Sequence, residues 1–89
     1  MVICKRVLYA GRVQGVGFRY TTQRIAQDFA VTGYVKNLPT GEVELVAEGE
    51  TQTVNAFLAA VARRMTRYIE DARDFEESTG GYRDFSIRH

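Results

Sequence analysis

Along residues 2–10 apolar side chains fall on both alternating faces: Val2, Cys4, Leu8 and Ala10 on one, Ile3, Val7 and Tyr9 on the other. That pattern predicts a strand covered in part on both sides. A glycine-rich stretch follows, Gly11-Arg12-Val13-Gln14-Gly15-Val16-Gly17-Phe18-Arg19. From Tyr20 the period changes. Thr22, Ile25, Ala26 and Phe29 recur at i, i+3, i+4 and i+7, which predicts a helix over 20–29 with Gln23, Arg24, Gln27 and Asp28 in solvent. The β-branched pair Val31 and Thr32 and then Gly33 stop it near Ala30. A left-handed Ala30 closing the helix would cost roughly 1 kcal/mol relative to glycine.

Residues 31–37 read as a second strand, Leu38-Pro39-Thr40-Gly41 as a turn, and residues 42–48 as a third strand. In that strand Val43, Leu45 and Ala47 oppose Glu42, Glu44 and Glu48, with Val46 the lone apolar residue on the acidic side. An antiparallel hairpin with one wet face is expected. Gly49 closes the strand and Thr51 is placed to cap a second helix, whose stripe is Val54, Phe57, Leu58, Val61 and Met65. Arg63, Arg64 and Arg67 lie near its end, where cations complement the helix dipole; a phosphate-binding patch is the less favoured reading. A strand within 68–77, with Ile69 and Phe75 as its apolar points, a turn over 78–81 and a last strand over 82–88 complete the chain. The order β-α-β-β-α-β-β predicts one α+β domain over 1–89. Its β-α-β-β-α-β part matches a ferredoxin-like βαββαβ sandwich, an antiparallel sheet with two helices on one face.

Composition narrows the chemistry. With 89 residues, 45% hydrophobic and 26% charged, the chain suits one small globular domain. A net charge of +1 argues against non-specific nucleic-acid binding. The single cysteine, Cys4, permits no internal disulfide, and with one histidine, His89, no metal site or cofactor is expected. No apolar run suits a secretory signal or a membrane span, so a soluble cytoplasmic protein is the expectation; a monomer is expected as well, although the sequence leaves the oligomeric state open. Ser78 and Ser86 have no internal histidine to activate them, and Cys4 reads as a buried filler.

The glycine turn is the stronger candidate. It lacks the lysine of a P-loop, and Tyr20 occupies the third glycine position of a dinucleotide fingerprint. Gly11, Gly15 and Gly17 can nonetheless turn backbone amides inward at the start of a helix, which favours an anion. Arg19 near that helix start is unfavourable by ~0.3–1 kcal/mol unless an anion shares the site. A tight turn with Arg19 in solvent is the competing reading. Arg12 is expected to be a solvated surface residue.

Gly11-x-Val13-Gln14-Gly15-Val16-x-Phe18-Arg19 resembles the first signature of the acylphosphatases, and Gly33-Tyr34-Val35-Lys36-Asn37 with Gly41-Glu42-Val43 and Gly49 resembles the second. The resemblance implies a ferredoxin-like hydrolase that splits acyl phosphates, small-molecule substrates, into a carboxylate and inorganic phosphate. It implies that Arg19 binds the phosphoryl group with loop amides from Gln14, Gly15, Val16, Gly17 and Phe18. Asn37 is implied to position the attacking water, and phosphate or a similar anion to bind as product or inhibitor. No metal, cofactor, nucleic acid or membrane is implied. The chain departs from the pattern at Ala30, where glycine is frequent, and at Arg64-Met65-Thr66-Arg67, where a Gly-Pro loop is frequent. The rival readings are an RNA-recognition domain, opposed by three acids and no aromatic in the third strand, and a catalytically silent binding or regulatory module.

Overall fold

The computed structural model describes residues 1–89. The elements are β1 (Val2–Gly11), α1 (Phe18–Ala26), β2 (Thr32–Asn37), β3 (Val43–Glu50), α2 (Thr51–Arg64), β4 (Ile69–Glu77) and β5 (Phe85–Arg88). They build one five-stranded sheet in the order β4-β1-β3-β2-β5. The first four strands pair antiparallel as a ferredoxin-like sandwich requires. The fifth corrects the expected antiparallel sheet: β5 runs parallel to β2, so the sheet is mixed. The reason is connectivity. β4 ends with Glu77 opposite Cys4 at the start of β1, the end of the sheet where β2 also begins. A chain crossing from one edge to the other at that end can only leave in the direction of β2.

The core lies between the helices and one sheet face. Val7 and Tyr9 of β1, Val35 of β2, Val43, Leu45 and Ala47 of β3, and Val54, Phe57 and Val61 of α2 form one buried cluster. Burying each larger side chain contributes about 1.5–3 kcal/mol. Phe57 anchors it, its ring 5.8 Å from Phe29 and 5.5 Å from Phe85.

Several boundaries differ from expectation. α1 starts at Phe18 rather than Tyr20, because Gly17 turns the chain into the helix and Phe18 buries its ring 5.1 Å from Tyr9. The regular helix stops at Ala26, and the amides of Gln27, Asp28 and Phe29 donate three residues back, a tightened end that needs no left-handed Ala30. Thr51 is not a cap. The cap position is Glu50, and the Thr51 hydroxyl donates to the Met1 carbonyl at 3.0 Å. β3 runs on through Gly49 to Glu50 because both pair with β1, Gly49 with Ile3 and Glu50 with Val2. The last strand is confined to Phe85–Arg88.

The acidic face of the sheet is not wet at its centre. Cys4 and Val46 are 2% and 3% exposed there. The segment after β4 crosses this face, and the Glu48 carboxylate accepts hydrogen bonds from the amides of Gly80 at 2.6 Å and Gly81 at 3.3 Å. Tyr34 donates to Glu44 at 2.9 Å, and Arg88 stacks 4.0 Å from the Tyr34 ring centre.

Candidate active site

The turn between β1 and α1 is built by two left-handed glycines. Gly15 has φ 79° and Gly17 φ 77°, while Val16 between them, like every non-glycine residue, has negative φ. An added Cβ at either glycine would meet nothing within 4 Å, so backbone conformation alone demands glycine. Alternating signs of φ turn successive amides toward one side as an anion nest. None of the amides of residues 14–17 donates to a backbone carbonyl. Those of Phe18, Arg19 and Tyr20, in the first turn of α1, have no acceptor within the helix. The first amide bonded back is that of Thr21, to Gly17 at 2.9 Å.

A cleft of about 280 Å³ opens beside this turn. Its lining holds Gly15, Gly17, Phe18 and Arg19 from the turn and helix start, and Asn37 from the end of β2. Arg19 and Asn37, 18 residues apart in sequence, therefore face one space. Arg19 is half-buried and pairs with no carboxylate. One of its terminal nitrogens, Nη1, donates to the Arg88 carbonyl at 3.2 Å and lies 3.2 Å from His89 Nδ1. The head group is thus held against the end of β5 with its charge uncompensated. The Oδ1 atom of Asn37 is buried and has no hydrogen-bond partner. No local turn bond satisfies it, and a buried amide oxygen without a donor costs about 1–3 kcal/mol.

The remaining loop residues divide. Gln14 and Val16 do not line the cleft. Val16 packs on the core. The Gln14 side chain reaches the β2–β3 turn instead, donating from Nε2 to the Leu38 carbonyl at 2.8 Å and the Glu42 carbonyl at 3.0 Å. It fastens the glycine turn to the connection that follows Asn37. Arg12 is exposed, as expected. Ile87 and His89 also line the cleft and were not singled out by the sequence. His89 is the only imidazole in the chain, which was the one available signal; its position beside Arg19 depends on β5 docking against β2. Cys4 lies apart in the sheet. Burial pushes its thiol pKa up, and the nearby Glu48 and Glu77 carboxylates push the same way, the opposite of what a thiolate nucleophile needs.

The family model for acylphosphatases matches residues 5–87. The chain belongs to the acylphosphatase family. An acylphosphatase of Methanospirillum hungatei JF-1 is 42% identical over 88 residues, covering 94% of this chain and 97% of its own length. The crystal structure of an acylphosphatase from Bacillus subtilis superimposes with TM-score 0.88 at 36% identity, over 100% of both chains. An acylphosphatase from Coxiella burnetii gives TM-score 0.85 at 32% identity, over 98% of this chain and 93% of that one. Both the fold and the enzyme class are therefore those of the acylphosphatases. Neither helix is long and apolar enough to cross a membrane.

Proposed function

We propose that the chain hydrolyses acyl phosphates to a carboxylate and inorganic phosphate without a metal ion. Arg19 and the amides of Gln14, Gly15, Val16, Gly17 and Phe18 hold the phosphoryl group, and Asn37 orients the attacking water. The observation that carries this reading is the shared cleft, lined by an uncompensated arginine, two glycines of a nest and Asn37, whose buried Oδ1 has no hydrogen-bond partner. The Asn37 amide carries both an acceptor and donors, so it can hold a water and direct a lone pair of the water oxygen at phosphorus. A new P–O bond forms, the bond from phosphorus to the acyl oxygen breaks, and its electron pair leaves as carboxylate. The water proton passes to a phosphate oxygen. A carboxylate is a stable leaving group, so no general acid is required.

Phosphoryl transfer through a loose transition state asks mainly for positioning and for neutralisation of charge on the phosphoryl oxygens. A guanidinium fork and a ring of amides supply both. Incubation with benzoyl phosphate in EDTA tests the reading. Phosphate release well above the spontaneous rate is expected, and release at the spontaneous rate overturns it in favour of a silent binding module.

A further inference from the structure

A second cleft, of about 270 Å³, lies on the outer side of α1 and is lined by Tyr20, Thr21, Arg24, Ile25, Asp28 and Arg64. Tyr20 belongs to the lining of both clefts, so its side chain is the partition between them. It is 59% exposed, unusually open for a large aromatic side chain in this chain. Two cations face one carboxylate here, and neither Arg24 nor Arg64 forms an ion pair. Arg24 has an obvious partner four residues on in Asp28, the spacing at which helical ion pairs form. It turns the other way. Its Nη1 donates to the Tyr20 hydroxyl at 3.3 Å, which aims the guanidinium back along the helix toward the catalytic cleft. Arg64 approaches from the end of α2, where the helix dipole already favours a cation and Arg63 and Arg67 add no partner. Of the three arginines clustered there, only Arg64 reaches this cleft.

We propose that this cleft is a subsite for a second anionic group carried at the far end of the acyl chain. Resting on the hydrolysis reading above, it makes the preferred substrates acyl phosphates whose acyl group ends in a carboxylate or phosphate. The phosphoryl group sits on Arg19, the chain lies over Tyr20, and the distal anion meets Arg24 and Arg64. Five residues along a helix place Arg24 about 7.5 Å further along the axis and about 140° round it from Arg19, so the acyl chain has to pass over Tyr20, which lines both clefts. Tyr20 offers a flat apolar wall for the methylenes and a hydroxyl that keeps Arg24 in place.

The test compares glutaryl phosphate with pentanoyl phosphate, chains of equal length with and without the terminal charge. Exposed ion pairs contribute modestly, so the wild-type kcat/KM should favour glutaryl phosphate by about three- to ten-fold at low salt, and the preference should shrink as salt is added. Arg24→Gln and Arg64→Gln should each reduce the preference and together abolish it, while pentanoyl phosphate turnover stays within about two-fold of wild type. Equal kcat/KM for the two substrates, or a preference that survives the double variant, overturns the proposal. The same pair of chains as non-hydrolysable phosphonates, with CH2 in place of the bridging oxygen, gives a binding ratio by calorimetry that needs no turnover. Tighter binding of the carboxylated phosphonate, lost in the double variant, supports the subsite even if hydrolysis fails. Equal binding rejects the subsite even if hydrolysis holds.

Discussion

In the proposed reaction Arg19 and Asn37 divide the work by charge. The guanidinium is braced by the Arg88 carbonyl and the His89 ring, so its remaining donors are presented in a fixed fork. Lysine keeps the charge but not the planar fork, and Arg19→Lys is expected to recover little of the kcat/KM lost in Arg19→Ala. Steady-state kinetics on benzoyl phosphate check this, and near wild-type values for the lysine variant would show that fork geometry is unimportant. There Asn37 contributes an amide rather than a charge. Asn37→Ala is therefore expected to lower kcat by ~2–4 kcal/mol, the cost of losing one preorganised polar group. Inhibition by inorganic phosphate should change far less. Equal losses in both would indicate that the loop had collapsed rather than that water orientation was lost.

The glycine turn and its staple set the distance between those two residues. Gly17 both ends the nest and starts α1 in a left-handed conformation. Gly17→Ala should destabilise by about 1–2 kcal/mol through backbone strain alone, since no atom obstructs the added methyl. Denaturant unfolding measures it, and a change below a few tenths would refute the strain argument. Gln14 ties the turn to the carbonyls on either side of the β2–β3 connection. Its loss removes two exposed hydrogen bonds, worth together about 1 kcal/mol. Gln14→Ala should reduce kcat/KM on benzoyl phosphate more than that stability change explains, because the separation of Arg19 from Asn37 is no longer fixed. A wild-type kcat/KM would show the staple to be unnecessary.

β4 shows what periodicity misses within one element. Ile69 and Phe75, the apolar points of that strand, are six residues apart and would share a face in a regular strand. The register slips between Ala10 and Gly11, where the paired residues jump from Asp71 to Ile69 and leave Glu70 unpaired. This bulge puts Ile69 on the core side, while Phe75 lies opposite Arg6 with the guanidinium 4.7 Å from its ring centre. The rest of β4 is exposed and rich in charge, which suits an edge strand that must not pair with another chain.

The helix-free side of the whole molecule is stabilised by polar groups rather than by a second layer of helices. Arg6 pairs with Glu77 at 2.6 Å and Glu44 at 3.6 Å, and Tyr34, Glu44 and Arg88 form the adjoining cluster. Burial, then the hydrogen bond and charge of Glu44, raise the Tyr34 pKa from 10.0 to about 12. Burial also raises that of Tyr9, with Asp74 adding to it. A proton held more tightly in the folded state makes the unfolded state the better acid. The stability these tyrosines contribute is therefore fully present below pH 10 and falls as pH rises from 10 toward 12. Thermal unfolding across that range should show the decline, and Tyr34→Phe should flatten part of it. An unchanged slope in the variant would assign the loss elsewhere.

Local spacing was enough for much of this protein. The glycine turn, the two helical stripes and the alternation in β3 are properties of near neighbours, and the paired signatures pointed to Arg19 and Asn37 together. Placing those two in one cleft, orphaning Oδ1 and setting His89 beside Arg19 required strands distant in sequence to pair. The direction of β5, the cover over Cys4 and Val46, and the bulge in β4 arise from where the chain must cross the finished sheet. No period within a single segment encodes such a crossing, because its cause is the position of another segment.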